Sequence, residues 1–216
     1  MTKSDLKKSL IFNLLIVAFV IIATVWMATA GSFRALTATK FGALKFFTVD
    51  SNILVGVAAL LMAISQYRVM KGTKEKVAPW LYTLKLVATV SVVITMLVTV
   101  FYLGFVVPTG YLSSFQGSNF FFHLLVPVLS VISFVLFEKT DCIAFKCNFF
   151  SFIPLVLYGI YYAVSVMTHM ENGVVQPGYD WYQFFKLGTT SLFIVYPFFL
   201  GFSFLISYIL WKLNRK

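Results

Sequence analysis

Polar side chains open an otherwise apolar stretch of the chain, the segment LKFFTVDSNILVG at residues 44–56. Thr48, Ser51 and Asn52 are spaced i, i+3 and i+4, so a helix would carry all three on one face. Asp50 would point about 200° away from Thr48 on the same helix. Two hydroxyl groups and one amide would therefore face the same neighbours.

A second pair of chemically capable residues, Asn119 and His123, is spaced i and i+4 at the start of a later apolar run. Histidine can take the proton of a hydroxyl nucleophile, which is the logic of many acyl-transfer enzymes. Thr48 and His123 are therefore the candidate nucleophile and general base. Ser51, Asn52 and Asn119 are candidate hydrogen-bond donors to an oxyanion.

The sequence lacks the residue motifs that other classes of reaction require. The chain has no G-x-S-x-G elbow, no H-E-x-x-H motif, no glycine-rich phosphate loop and no carboxylate pair at a suitable spacing. With two histidines and no acidic cluster, no metal site is expected, and no cofactor is predicted. Cys142 and Cys147 lie in a short loop without further zinc ligands, so we expect two free thiols.

Each candidate also has a structural explanation. Thr48 could cap a helix, and Asp50 suits the first turn of a helix because of the macrodipole. Ser51 and Asn52 could form hydrogen bonds between helices. A buried histidine is harder to explain by packing, because it titrates near neutral pH and needs partners. For His123 a functional role and a packing role both stay open.

The composition indicates that a membrane surrounds these residues. Hydrophobic residues make up 60% of the 216 residues and charged residues 11%, and the mean hydropathy is +0.92. Globular domains carry about 25% charged residues, and a soluble fold of this size could not cover so much apolar surface. Spans of about 20 apolar residues predict one all-α domain, 1–216, a polytopic bundle of six transmembrane helices: about 9–30, 47–67, 80–107, 119–137, 149–169 and 188–211.

Basic residues set the expected orientation of this bundle. Six spans place both termini on one side, and Lys and Arg favour that side by about three to one, which predicts cytoplasmic termini. The net charge of +10 then reflects topology and attraction to anionic lipid, and no nucleic-acid partner is predicted. The polar residues would meet at the outer leaflet of what we take to be a bacterial cell membrane.

Further polar residues lie at the same predicted level. His169 closes the fifth span, where solvation explains it nearly as well as a function does. Asp50 or His169 is a candidate for orienting His123 or for binding a carboxylate head group. Lys45 and Arg34 are candidates for holding the head group of a lipid at the interface.

Two segments carry a family resemblance. KFFTVDSNIL at 45–54, followed by FFHLLVPVLSVISFVLFE at 121–138, resembles the androgen-induced-protein family of small multi-span membrane proteins and its bacterial relatives. That family has an aromatic-rich opening before a threonine, and a later histidine followed by proline. The likeness continues more weakly into YGIYYAVSVMTHMENG and DWYQFF and covers residues 44 to about 200.

The resemblance implies a reaction. Characterised animal members are hydrolases of fatty-acid esters of hydroxy fatty acids, with a threonine nucleophile and a histidine inside the bundle. By position these residues correspond to Thr48 and His123. The chain departs from the animal pattern in Asp50, which is one position nearer the threonine, in the histidine-to-proline spacing, and in DWYQFF. The implied chemistry therefore carries over better than the substrate.

The prediction is an intramembrane hydrolase of lipid-like esters, acting on a membrane lipid or fatty-acid ester, with its oligomeric state left open. The alternatives are a lipid-binding membrane protein without catalysis and a small-molecule transporter. A transporter would be favoured by polar residues that continue into the cytoplasmic half. The fourth and sixth spans carry few of them there.

Overall fold

The protein is a bundle of long apolar helices. The computed structural model describes residues 2–30, 40–106, 110–185 and 192–215. Within these ranges six helices are long and apolar enough to cross a membrane, and we number them α1 to α6 in chain order: Lys3–Thr29, Phe47–Met70, Pro79–Leu103, Ser118–Phe137, Phe145–Thr168 and Phe193–Asn214. The chain is an all-α polytopic bundle and an integral membrane protein, which confirms the fold class. The side on which the termini lie stays a prediction.

Short irregular elements connect and interrupt these helices. Turns of 3₁₀ helix precede α2 and α4 and begin α5, and π-helical turns end α3 and occur twice in α4: Lys40–Lys45, Tyr111–Phe115, Phe145–Ser151, Thr99–Leu103, Phe121–Leu125 and Ser133–Phe137. A hairpin pairs Met170–Glu171 with Val174–Val175 after α5. Its two turn residues, Asn172 and Gly173, both have positive φ, as an Asn-Gly hairpin turn requires.

The helix boundaries agree with the predicted spans to within one residue at several ends and differ by up to about two turns at others. The first span is predicted from about residue 9, but α1 begins at Lys3, because its polar first turn is capped. The Thr2 hydroxyl accepts the Asp5 N–H at 3.1 Å and donates to the Asp5 carboxylate at 2.8 Å. Pro79 opens α3 at a position where its missing N–H costs nothing. The predicted start of the sixth span lies outside the described residues.

The centre of the bundle is formed by α2 and α3. Their most apolar windows are each 61% buried, compared with 22–39% for the other four helices. On one side α1 and α4 pack against them through a cluster that includes Val20, Val55 and Val126. On the other side α6 packs against α3 through a cluster that includes Val90 and Ile206. Functional side chains on α2 and α3 therefore have neighbours on both sides.

A network of buried polar side chains joins α1, α3 and α4 at the end of the bundle that carries both termini. Glu138, directly after α4, is its acceptor: Oε1 receives hydrogen bonds from Asn13 and Ser133, each at 2.7 Å. The Ser9 hydroxyl also donates to this oxygen, at 3.0 Å. Lys85 donates to the Asn13 side-chain oxygen, and its Nζ lies 3.8 Å from Glu138 Oε1. All five side chains are fully buried.

This end of the bundle is more polar than the sequence suggests. On α4, Ser130 and Ser133 are buried, and on α6, Ser203, Ser207 and Asn214 are buried as well. Ser130 donates to a carbonyl of its own helix at 2.7 Å, whereas Ser203 donates across to the carbonyl of Ser151 at 3.1 Å. The expectation that α4 and α6 carry few polar residues near the termini is therefore wrong, because small serines barely lower the hydropathy of a span.

Candidate functional site

Thr48 lies in the first turn of α2 without capping that helix. The helix begins at Phe47, and its N-cap residue, Phe46, makes no side-chain cap bond. The Thr48 side chain is 8% exposed, and its hydroxyl forms no hydrogen bond to any residue that the structure describes. The capping explanation is therefore wrong, and the hydroxyl is available to a ligand.

A cavity of about 480 Å³ adjoins Thr48. It lies between α2, α3, α5 and α6, and its walls are almost wholly apolar, with side chains such as Leu97, Leu155 and Phe202. Thr95, one of the other polar lining residues, already donates its hydroxyl proton to the carbonyl of Ser91 at 3.2 Å. Cavities of several hundred Å³ are the usual size of small-molecule sites. The cavity therefore suits a ligand that is mostly hydrocarbon.

Ser51 and Asn52 surround the backbone of Thr48. The Ser51 hydroxyl lies 3.1 Å from the Thr48 carbonyl and 3.0 Å from the Thr95 hydroxyl. Asn52 donates to the same carbonyl at 2.7 Å and to the carbonyl of Phe122 at 3.1 Å. Both residues therefore join helices by hydrogen bonds, as the structural explanation predicts. Neither residue lines the cavity, and both N–H groups of Asn52 are already engaged.

His123 is buried in α4 with one ring nitrogen fixed. Its Nδ1 lies 2.6 Å from the carbonyl oxygen of Ser114, and a carbonyl only accepts, so Nδ1 carries the proton. Its Nε2 has no hydrogen-bond partner among the described residues. This tautomer leaves Nε2 unprotonated and able to act as a base. His123 also lies in the π-helical turn Phe121–Leu125, a local geometry frequent at functional sites.

Asn52 connects the backbone at Thr48 to the backbone next to His123, and no hydrogen bond joins the two predicted catalytic residues directly among the described residues. One amide nitrogen of Asn52 bonds both the Thr48 carbonyl and the carbonyl of Phe122, the residue before His123. No hydrogen bond joins Thr48 to His123 in the described part of the chain, and His123 does not line the cavity. The structure therefore places Thr48 on the cavity wall and His123 behind it, on the α4 side of α2.

The remaining predicted site residues lie outside this arrangement. Asp50 is exposed and does not line the cavity. Asn119 is half-buried, and its side chain makes no hydrogen bond within the described ranges. His169 Nδ1 lies 2.8 Å from the carbonyl of Ser165, and the ring stacks on Tyr179 with centroids 3.5 Å apart. No hydrogen bond links these three residues to Thr48 or His123 among the described residues. Arg34 lies outside them.

Residues 176–185, which we call the lid, close the end of the cavity near Thr48. The Lys45 ammonium donates to the Gly178 carbonyl at 3.1 Å and lies 5.1 Å from the centre of the Trp181 ring. The Tyr182 hydroxyl accepts the backbone N–H of Phe47 at 3.0 Å. Lys45, predicted to hold a lipid head group, therefore holds the lid in this structure.

Two tyrosines of α5 complete the attachment of the lid. The Tyr158 hydroxyl donates to the carbonyl of Lys45 at 2.7 Å and accepts the Trp181 indole N–H at 2.9 Å. The Tyr162 hydroxyl donates to the carboxylate of Asp180.

Burial lowers the pKa of Lys45 and raises the pKa of Tyr182 to about 12. Tyr182 is therefore neutral at physiological pH. The sequence shows these aromatics, but nothing in their spacing indicates that they meet α2.

No other chemistry is assembled in the described residues. Groups of three or more His, Cys, Asp or Glu that could hold a metal ion are not found there, and Cys142 and Cys147 are free thiols. Comparison with known proteins leaves the family open: no family model, no curated protein and no solved structure matches the chain.

Proposed function

We propose that the protein is an intramembrane hydrolase of lipid-like esters, with Thr48 as the nucleophile and His123 as the general base. The observation that supports this most is the Thr48 hydroxyl, which has no partner among the described residues and stands in the wall of an apolar cavity of about 480 Å³. An ester with long acyl chains would fill such a cavity. The resemblance of residues 45–54 and 121–138 to the androgen-induced-protein family favours the same pair.

The proposed reaction has two steps. Thr48 Oγ1 attacks the ester carbonyl carbon while His123 Nε2 takes its proton, and the tetrahedral intermediate expels the alcohol oxygen, which takes the proton from Nε2. Water then gives a proton to Nε2, attacks the acyl-threonine and releases the acid, while the proton returns to Thr48. General base help of this kind accelerates a reaction by about 10²–10⁴-fold.

The geometry defines what this reaction requires. His123 Nε2 must come within about 3 Å of Thr48 Oγ1, and catalytic hydrogen bonds often tighten only when substrate binds. Asn52 already holds the two backbones together. Because Ser51 and Asn52 are engaged with the Thr48 carbonyl, their role in the proposed reaction is to fix the position of the nucleophile.

The two alternatives make different use of the same features. A lipid-binding protein needs the cavity but neither free atom, and it would retain bound lipid without turnover. A transporter needs polar groups across the bundle, and the Lys85–Glu138 network at the far end favours it more than the sequence suggests. Transport would move substrate between compartments unchanged, whereas hydrolysis releases a free acid.

The test is hydrolysis of a fatty-acid ester of a hydroxy fatty acid by purified protein in detergent or nanodiscs. Wild type should release free acid, Thr48→Ala should fall to background, and Thr48→Ser should retain part of the rate. His123→Gln should lower the rate by about 10²–10⁴-fold.

The matched control is Thr95→Ala, which removes the other threonine hydroxyl from the cavity wall. It should leave most of the activity, because that hydroxyl is already hydrogen-bonded. Full activity in folded Thr48→Ala, or no release of acid by folded wild type from a panel of esters, would refute the proposal.

A further inference from the structure

The cavity opens sideways between two helices. Among its described lining residues, four are exposed: Phe101 by 73% and Tyr102 by 45% on α3, and Ile194 by 70% and Phe198 by 63% on α6. Ile194 and Phe198 are spaced i and i+4 and share one face of α6. We call these four residues the lateral opening. Their side chains are large and mainly apolar, as expected of a surface that faces hydrocarbon.

The packing of α3 against α6 differs between the two ends of these helices. Near the termini they pack together, and Leu86 and Val90 share a cluster with Ile206 and Leu210. At the opposite end the side chains of the lateral opening are exposed instead of packed. The exposed lining residues of the cavity therefore all lie on α3 and α6, on the side that faces the lipid phase.

The end of the cavity near Thr48 is closed by the lid, in contrast to the lateral opening. Tyr182 and Phe184 of the lid line the cavity, and hydrogen bonds to Lys45, Phe47 and Tyr158 hold the lid in place. A ligand that arrived from water would have to break several of these bonds. A hydrocarbon chain that arrived from the membrane would break none of them.

We propose that one acyl chain of a membrane lipid enters the cavity through the lateral opening, directly from the bilayer, and that the lid stays closed. The inference rests on the proposed function only in placing the ester at Thr48. The occupant is a hydrocarbon chain, because the cavity walls are apolar and the four residues of the lateral opening include no cation or carboxylate to hold a polar head inside. The head group stays at the membrane surface.

Occupancy is tested with a long-chain fatty acid that carries a diazirine at its chain end, added to the full-length protein in nanodiscs. After illumination, mass spectrometry should find label on the peptide that contains Leu155. Leu155→Trp fills the cavity and should abolish this label. Leu157→Trp, the same change on the lipid-facing side of α5, where Leu157 is 64% exposed, should not. Leu155→Phe is the smaller second variant if tryptophan prevents folding. No cavity label in wild type, or equal label in Leu155→Trp and Leu157→Trp, would overturn the proposal.

The route is tested by obstructing each path. Ile194→Trp narrows the lateral opening and should slow cavity labelling severalfold, whereas Phe193→Trp, next to it but outside the cavity lining, should not. Lys45→Met loosens the lid and should leave the labelling rate unchanged. Faster labelling in Lys45→Met together with an unaffected Ile194→Trp would show passage through the lid and overturn the proposal.

The outcome is separable from that of the proposed hydrolysis, because labelling needs no turnover. Thr48→Ala should be labelled like wild type. Label without release of acid would refute the hydrolase and leave the lateral route standing. Release of acid from a short-chain, water-soluble ester without label in the cavity would do the reverse.

Discussion

The buried pair of Lys85 and Glu138 gives the most severe prediction for stability. At 3.8 Å two unit charges attract by about 4 kcal/mol at an effective dielectric constant of 20. Removing one partner of a buried pair costs about 3–5 kcal/mol, because the other charge stays buried alone. We therefore expect Lys85→Met and Glu138→Gln each to lower the free energy of unfolding by this amount, and the apparent Tm by about 10 °C.

The hydrogen bonds of the network predict which substitution is worse. In Lys85→Met the Glu138 carboxylate keeps its three donors, Ser9, Asn13 and Ser133. In Glu138→Gln the Lys85 ammonium keeps one hydrogen-bonded acceptor, the Asn13 side-chain oxygen. Glu138→Gln should therefore cost more. The double variant leaves no buried charge and should recover most of the loss, because replacing both partners is often nearly neutral.

Thermal unfolding of the purified protein, followed by tryptophan fluorescence in one detergent, measures these differences. The matched control is the pair of Arg215 and Asp141, which has the same 3.8 Å separation but is about half exposed. Breaking it with Arg215→Met should cost less than about 1 kcal/mol, since exposed pairs contribute little. A double variant whose loss equals the sum of the two single losses would refute the reasoning, because it would show that the charges do not compensate each other.

Three further changes test the packing, the lid and the support of Thr48. Gly56→Leu should lower the free energy of unfolding by about 1–3 kcal/mol, because even a Cβ at this position would lie 3.0 Å from Val20. The control in the same melting assay is Gly201→Leu, since Gly201 has open space around it. The pKa of Tyr182 is raised to about 12 from its usual value of 10.0. The stability that this shift adds is fully present below about pH 10 and is lost as the pH rises through 12. The Tm difference between wild type and Tyr182→Phe should therefore shrink over that range. Asn52→Leu leaves the Thr48 and Phe122 carbonyls without its donor and should lower both the Tm and the rate of ester hydrolysis; an unchanged rate would show that this link does not position the proposed nucleophile.

The spans were predictable because each crossing helix must satisfy its own backbone and cover itself with apolar side chains. That constraint acts on each span separately, so the amino-acid composition of the span shows it. The shared face of Thr48, Ser51 and Asn52 was predictable for the same kind of reason, since helical spacing alone places them together. In the structure Ser51 and Asn52 bond the Thr48 carbonyl, whereas only Thr48 of the three lines the cavity.

The cavity and the ionic network depend on contacts that sequence spacing does not encode. Lys85 meets Glu138 only because α3 and α4 pack against α1. A hydropathy profile shows each charged residue only as a local decrease in the hydropathy of a span. The lid is similar: Trp181 and Tyr182 reach Tyr158 and Phe47 through folding of the loop after α5. Which face of α2 turns toward α5 and α6 is set by these contacts, and so is the separation of Thr48 from the His123 side.

The Thr48 hydroxyl differs from three hydroxyl groups on α3, and this difference supports a ligand at Thr48. Ser91, Thr95 and Thr99 on α3 each donate to a carbonyl one turn earlier in their own helix, which is the usual solution for a hydroxyl without a better partner. Thr48 lies in the first turn of α2, so its own helix has no carbonyl one turn earlier to accept the hydroxyl proton. A hydroxyl without a partner in an apolar site costs up to about 1–3 kcal/mol. An ester oxygen in the cavity would remove that cost. A threonine that is kept for chemistry and not for packing would therefore gain stability from substitution by valine. Thr48→Val therefore separates the two roles: a higher Tm with loss of ester hydrolysis indicates a residue retained for chemistry, whereas a lower Tm with unchanged hydrolysis indicates a residue retained for packing.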